Sequence, residues 1–487
     1  MRPTQAKEHH AAAPPPVPRL VPVPGSPART HPAGDAGADG IAWTAGAEVA
    51  AGGDGTDGAD PLLPPGIGDA RAVDADVRGA VGRVLDHVLA DRLARARAVD
   101  ALFADDLAER VAHFTRTGGK RTRSQLLWWS LRACGGGPAS LGPALRVGAA
   151  LELLQTCALV HDDVMDGAQL RRGRPALHAG LRGRYAGMAS SRRAGRFAEA
   201  AGILAGDLAL AWADDLVAET PFDPVPAGAV RRLWSEMRTE MVAGQYLDVH
   251  GQLDPAYSLP RSLRAACLKS ALYSVERPLS LGAALAGADA ATTRALCSAG
   301  RCVGMAFQLR DDLDDVFGDP RRTGRPCGSD VREGKPTYLA ALARARAEAA
   351  GDRHALAVLQ RSLGNGDLTG EGLDEVREVL VRTGARTTVE TGINRLVERG
   401  LRHLDGARLV PEGEVRLRRM LGGVADAAPL DGGPGRGTPH AAEPASGSAS
   451  PPASASPSTS ASTSTSASAS APASASASAS GEREARR

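Results

Sequence analysis

The stretch Leu151–Val160 contains neither Gly nor Pro and runs straight into His161-Asp162-Asp163-Val164-Met165-Asp166. An uninterrupted apolar run of this kind reads as a buried helix, so the fold must accept a core helix that ends on three carboxylates. On a helix Asp162 and Asp166 lie at i and i+4 on one face, with Asp163 beside them. Like charges at that spacing destabilise a helix, and a hard divalent cation reverses the sign. Mg²⁺ takes one or two carboxylates, keeps several waters and completes its shell with substrate phosphate oxygens. The ordinary alternative is a solvated acidic helix end. Against it stands a second cluster, Phe307-Gln308-Leu309-Arg310-Asp311-Asp312-Leu313-Asp314-Asp315, which repeats the D-D-x-x-D spacing at Asp311, Asp312 and Asp315. Two apolar helices that both end this way read as facing walls of one polyanion site.

Composition limits how much of the chain builds those walls. Residues 1–68 carry a Pro run at Pro14-Pro15-Pro16 and Gly/Ala/Asp repeats, and from residue 426 the chain turns Gly/Pro-rich and then Ser/Ala/Thr-rich. Neither end buries enough apolar surface to offset the entropy of ordering, so both are expected to be disordered tails. Residues 69–425 remain as one large domain.

The formal net charge of +2 argues against a nucleic-acid footprint. No apolar run is expected to approach the length of a bilayer span, and the polar, Pro-rich start does not read as a signal peptide. The six cysteines show no C-x-x-C spacing, and several lie inside apolar helical runs, which predicts core packing in a reducing cytoplasm without structural zinc. Of 58 Lys and Arg residues only Lys7, Lys120, Lys269 and Lys335 are lysine. A lysine that survives such a bias is a candidate for a compact ammonium at a phosphate site.

In chain order, Ala70–Val111 has helical periodicity. Gly118-Gly119-Lys120-Arg121-Thr122-Arg123 then breaks one helix and opens the next with three basic residues, a turn suited to anions. Leu126–Cys134 and Ala144–Asp163 read as core helices, and the basic segment Arg182–Ala200 reads as a mobile loop. Glu240, Gly244 and Asp248 fall on one face of a helix over Arg231–Val249, with Gln245 beside them. Pro278 should kink the helix Leu263–Ala286. Gly318–Lys335 reads as a lid-like loop, and helices resume from Tyr338. With no strand or hairpin pattern, the domain is expected to be all-α.

These residues together resemble the trans-isoprenyl diphosphate synthases, the polyprenyl synthetase family, over about Ala80–Ala425. The resemblance rests on the first aspartate cluster with Arg171-Arg172-Gly173-Arg174-Pro175, the G-G-K-R-x-R stretch, and F-Q-x-x-D-D-x-x-D. Gly206-Asp207, Gly244-Gln245 with Asp248, and Gly328-Ser329-Asp330 with Gly334-Lys335 add to it. Arg325 stands where the family usually has lysine, and Ser270 where Thr follows the lysine; both keep the chemical type.

The resemblance implies an isoprenoid synthase-type helical bundle with a central cavity, and head-to-tail condensation of isopentenyl diphosphate with an allylic diphosphate. It implies three Mg²⁺ ions held by Asp162, Asp163, Asp166, Asp311, Asp312 and Asp315. Arg171, Lys269, Lys335 and Arg325 would neutralise the allylic diphosphate. Lys120, Arg121, Arg123, Arg172 and Gln155 would hold the second diphosphate, while Gln308 and Ser270 steady the allylic cation. It also implies a homodimer. Four and five residues before Asp162 stand Ala158 and Cys157, both small, and Leu154 comes a turn further down. One helical turn is ~5.4 Å, roughly an isoprene unit, so a floor at Leu154 predicts geranylgeranyl diphosphate, with longer polyprenyl chains next.

Two other functions compete. A class I terpene cyclase needs a second motif N-x-x-[ST]-x-x-x-E, yet the only asparagines, Asn365 and Asn394, begin no such pattern. A non-catalytic partner subunit would not need both aspartate sets intact. The tails are unnecessary to a synthase core. They read either as solvating linkers or, as related synthases with long N-terminal extensions imply, as docking segments for an encapsulin nanocompartment shell, with Gly40-Ile41-Ala42-Trp43-Thr44 as the contact.

Overall fold

The computed structural model describes residues 69–253, 258–320 and 326–426. The tails expected to be disordered, the Trp43 island and Arg325 lie outside the described residues.

Two long helices organise the domain. The first, α3 below, is Leu141–Met165, in which every side chain from Leu141 to Cys157 is buried. It is packed by α1 (Val77–Val99), α2 (Thr122–Ala133) and α4 (Ser191–Ala218). Of the described helices only Pro138–Met165 is long and apolar enough to cross a membrane, and 94% of its most apolar window is buried inside the protein. The expectation that no run reaches that length is corrected here. Such hydropathy reflects a helix surrounded by other helices on all sides.

The second organising helix is α7 (Ala290–Phe317), reached through α5 (Pro224–Gly251), a π-helical segment Cys267–Glu276, and α6 (Arg277–Leu285). It packs against that segment, α6, α8 (Ala385–Asp405) and α9 (Pro411–Asp426). A second apolar cluster around Ala306, Leu309 and Leu313 joins the C-terminal half of α7 to Leu339, Leu359, Val376 and Leu380. Both α3 and α7 therefore run from a dry core to an aspartate-bearing C-terminal end.

Among the described residues the domain is all-α except for one two-residue hairpin, β1 (Leu170–Arg171) with β2 (Arg174–Pro175). Too short to show periodicity, it closes around Arg172 and Gly173, both with positive φ. Ala70–Val111 is helical as its periodicity predicts, with restarts at Asp76 and Asp100, which accept from the Gly79 and Phe103 amides as N-caps. One other expectation needs correction. Arg182–Ala200 is not a loop, because Leu177–Tyr185 and the first turns of α4 occupy it; Ala and Arg are strong helix formers, and the charge sits on an exposed face. Pro278 sits directly after the π segment, inside a run of helix that continues unbroken from Leu259 to Leu285.

Candidate active site

The end of α3, the π segment, α5 and the end of α7 enclose a cavity of about 800 Å³. Asp162 and Asp166 line it from α3, and Asp311 and Asp312 from α7. The two aspartate clusters, 149 residues apart in sequence counting from Asp162 to Asp311, thus face one space.

Lysines stand between them. Lys269 Nζ lies 2.6 Å from Asp248 and 3.2 Å from Asp162. Lys335 Nζ lies 3.0 Å from Asp166, 2.7 Å from Glu333 and 3.4 Å from Asp330. Gln245 Nε2 donates to Asp162 at 3.0 Å. Asp163 is turned away from the cavity and accepts from Arg171 Nε at 2.7 Å, so it holds Arg171 against the wall. Asp315 likewise lies behind the wall, accepting from Ser329 Oγ at 2.5 Å and the Asp330 amide at 3.1 Å. That bond anchors the short helix Ser329–Glu333, which delivers Lys335.

Lys269 is placed by a packing device. The π segment is pinched between glycines of its two neighbours: a Cβ at Gly244 of α5 would lie 2.3 Å from the Lys269 amide nitrogen, and one at Gly304 of α7 would lie 2.6 Å from the Ala271 carbonyl. The widened helix turns Lys269, Ser270, Tyr273 and Ser274 all toward the cavity; π turns recur at functional sites.

The electrostatics follow. Burial alone raises a carboxyl pKa, yet Lys269, Lys335 and Arg171 hold Asp162 well below the ordinary aspartate range. Burial wins at Asp163, pushed up to about 6 despite Arg171. Burial and the neighbouring Asp162 raise Asp166. On α7, burial and Asp330 raise Asp312 well above its ordinary value and push Asp315 up to about 7. For Lys269 and Lys335 the surrounding carboxylates outweigh burial and raise both ammonium pKa values, keeping them charged. Burial disfavours the charged form of Asp166 and Asp312, and a divalent cation in the cavity would restore it, since hard carboxylate oxygens fit such an ion. Among the described residues no three His, Cys, Asp or Glu side chains converge into a cage. This fits Mg²⁺, which relies on substrate phosphate oxygens and water for the rest of its shell.

The basic residues divide in two. Arg123, Gln155, Arg171 and Arg172 line the large cavity. Lys120 lines an adjoining cleft that shares Arg171 and Arg172. Arg121 lines neither; its guanidinium donates to the Arg78 and Arg116 carbonyls at 3.2 and 3.4 Å. Ser270 and Gln308 both reach the cavity, and Gln308 Nε2 donates to Asp312 at 2.8 Å. Of the three residues expected to set product length, Cys157 and Ala158 line the cavity, whereas Leu154 is fully buried in the core and not on its wall.

Sequence reasoning did not assign roles to Asp248, Glu333, Tyr273 and Ser274. Tyr273 and Ser274 stand four and five residues after Lys269, a helical spacing that offered a signal. Glu333 had none, because its contact depends on how the Gly328 and Gly334 turns fold.

An all-α bundle in which two aspartate-tipped helices face one cavity lined by half-buried lysines is the architecture of an isoprenoid synthase. The polyprenyl synthetase family model matches residues 104–369, and the chain belongs to that family. It is 35% identical over 286 residues to farnesyl diphosphate synthase of Geobacillus stearothermophilus, covering 56% of this chain and 87% of that protein. It is 28% identical over 315 residues to geranylgeranyl diphosphate synthase of Methanosarcina mazei, covering 64% and 88%. The geranylgeranyl pyrophosphate synthase of Corynebacterium glutamicum, complexed with isoprenyl diphosphate and magnesium, superposes with a TM-score of 0.66 at 33% identity, covering 71% of this chain and 98% of that one. The protein is a trans-isoprenyl diphosphate synthase.

Proposed function

We propose that this synthase condenses isopentenyl diphosphate with an allylic diphosphate to make geranylgeranyl diphosphate. The observation that carries the reading is the pair of small residues, Cys157 and Ala158, on the cavity wall one turn below Asp162. A bulky residue there would stop the chain a unit earlier.

Three Mg²⁺ ions, held by Asp162 and Asp166 on one side and Asp311 and Asp312 on the other, would supply the charge that stabilises the departing diphosphate, while Asp163 braces Arg171 and Asp315 braces the Ser329–Glu333 helix behind them. Lys269, Lys335 and Arg171 neutralise the remaining oxygens of that diphosphate. Arg325, outside the described residues, is assigned the same part by resemblance. Lys120, Arg123, Arg172 and Gln155 hold isopentenyl diphosphate with its double bond toward the allylic carbon, and Arg121 braces the turn that carries Lys120. Gln308 and Ser270 turn their dipoles toward the developing cation. Large apolar side chains stay exposed on α4 (Ile203, Leu204), which supports a homodimer, tested by light scattering. The N-terminal extension is proposed as a docking segment for an encapsulin-type shell inside the cytoplasm; removing residues 1–68 should spare catalysis and abolish co-purification with such a shell.

The deciding experiment incubates purified protein with Mg²⁺, isopentenyl diphosphate and each allylic starter, and sizes the products after dephosphorylation. A twenty-carbon product is expected. A longer ladder would move the floor deeper, and no elongation by folded protein would overturn the reading.

A further inference from the structure

The basic cluster assigned above to isopentenyl diphosphate is built around a buried acid that touches neither cavity. Glu152, on α3 ten residues before Asp162, is 8% exposed. Ser124 Oγ, itself buried, lies 2.5 Å from its Oε1 and 2.9 Å from the Gly148 carbonyl. A Cβ built on Gly118 would be 4.0 Å from both Glu152 Oε2 and Arg172 Nη1, so the carboxylate and that guanidinium flank the same glycine.

Burial raises the Glu152 carboxyl above its ordinary range, and the Ser124 bond and the nearby charges of Arg121, Arg123 and Arg172 oppose that rise. The three arginines come from the residue before α2, from its first turn, and from the β1–β2 hairpin. Among the described residues Arg121 and Arg172 are the two non-glycine positions with left-handed backbone, at φ 51° and 55°. The Cβ disfavours that conformation, and it persists only where the surroundings fix it. Each guanidinium is also fixed individually. Arg121 reaches two carbonyls. Arg123 donates to Ser274 Oγ at 2.9 Å and stacks 4.5 Å over the Tyr273 ring. Arg172 donates to the Thr117 carbonyl at 3.4 Å and lies 5.4 Å over Phe114. Like charges gathered in one cluster repel one another, and a counter-charge behind them offsets that repulsion before any diphosphate arrives. Burying a carboxylate among apolar helices is costly unless it is compensated, and here the compensation is this cluster and one serine.

We infer that Glu152 is a positioning residue for the second diphosphate: from behind the wall it holds Arg121, Arg123 and Arg172 in the arrangement that receives isopentenyl diphosphate. The inference rests on the assignment of that cluster to isopentenyl diphosphate. Glu152 meets no substrate atom, so its influence falls on the affinity for one substrate and not on the chemical step.

The test is steady-state kinetics of the full chain with Mg²⁺, varying isopentenyl diphosphate and farnesyl diphosphate separately, in Glu152→Gln, Ser124→Ala and Lys120→Ala. Glu152→Gln keeps shape and an acceptor for Ser124 but removes the charge. It should raise KM for isopentenyl diphosphate roughly tenfold, the scale of one charge-assisted hydrogen bond. KM for farnesyl diphosphate and kcat at saturation should stay within about twofold, the signature of lost uniform binding. Ser124→Ala should move the same KM in the same direction by less, and it carries the test if the glutamine variant does not fold. If Lys120→Ala leaves that KM unchanged, the assignment of the cluster is wrong. If Lys120→Ala raises it while Glu152→Gln or a folded Ser124→Ala leaves it unchanged or lowers it, the cluster stands and the role of Glu152 is overturned.

Discussion

Gly244 and Lys269 meet backbone to backbone: the space a side chain at 244 would need is already filled by the Lys269 amide and Cα, at 2.3 and 2.7 Å from an ideal Cβ. The contact seats the π segment on α5 and aims the Lys269 ammonium between Asp162 and Asp248.

Gly244→Ala should therefore injure catalysis through position. Backbone cannot yield as a flexible side chain does, so the π segment must shift. Overpacking of this kind costs about 1–3 kcal/mol of stability. Turnover should fall by more than the loss of folded protein, because Lys269 moves off both carboxylates. Comparing kcat with the fraction folded by circular dichroism separates the two; a normal kcat per folded molecule would refute the coupling.

Asp162 and Asp311 approach the cavity from opposite helices, so removing either should disable the site. Asp162→Ala and Asp311→Ala are each expected to lower kcat by about 10²-fold or more, the scale of losing one preorganised electrostatic group. Chelation of divalent ions should abolish wild-type turnover, and Mg²⁺ should restore it. Either alanine variant turning over at near-normal rate with its fold intact would remove these aspartates from the mechanism.

Cys157 offers a pH-dependent probe of the cavity wall. Burial pushes its thiol up to about 12, and the reactive species is the thiolate. Raising the pKa lowers the thiolate fraction at pH 8, to roughly a thousandth of that of an exposed cysteine near 8.5. Alkylation at Cys157 should therefore be slow at pH 8 and climb about tenfold per pH unit below its pKa, without a plateau in the range where the protein stays folded. Mass spectrometry of labelled peptides reads the rate residue by residue. A plateau near pH 9 would mean a more open cavity wall.

Glu276 is buried at 2% exposure and held by Arg301 through two bonds, 2.7 Å to Nε and 2.9 Å to Nη2. Arg301→Ala leaves that carboxylate in the core without its partner, a loss of about 3 kcal/mol or more. Urea denaturation should show a lower midpoint with an unchanged slope. Removing both partners as Glu276→Gln with Arg301→Ala should recover part of the loss, because the uncompensated charge is gone. No recovery would point to packing by the arginine stem instead.

Much of this was legible in the chain because local chemistry decided it. Leu151–Val160 reads as a buried helix, and its twin ending in Asp311 and Asp312 implies a shared cavity. Spacing could not tell which carboxylates face inward. Asp163 and Asp315 belong to the same motifs as Asp162 and Asp311, but one turns back to Arg171 and the other to Ser329. That choice is tertiary, set by a hairpin and a short helix that show no periodicity. Arg121 was misread for a related reason. A basic residue in a basic turn reads as a ligand, yet its left-handed backbone sends the side chain to two neighbouring carbonyls.

The depth of the product cavity is where sequence and structure part most usefully. Counting turns along α3 put the floor at Leu154, but that side chain is in the core, and the wall one turn below Asp162 is made by Cys157 and Ala158 with Met241 of α5 also lining the cavity. Met241 stands one turn before Gln245, the residue that binds Asp162, and shares the cavity wall with Cys157 and Ala158. Ala158→Phe should fill this level and shorten the main product by one isoprene unit, since a turn of ~5.4 Å is about the length of that unit. Met241→Ala should act in the opposite direction and lengthen it. Leu154→Ala should leave product length unchanged and instead destabilise the fold by about 2–5 kcal/mol, as a large-to-small change in a packed core does. Products sized by mass spectrometry after dephosphorylation decide among these. If Ala158→Phe gives the parent product, the chain does not run along this face of α3. If Leu154→Ala lengthens the product with stability intact, the floor lies a turn deeper, where counting first placed it.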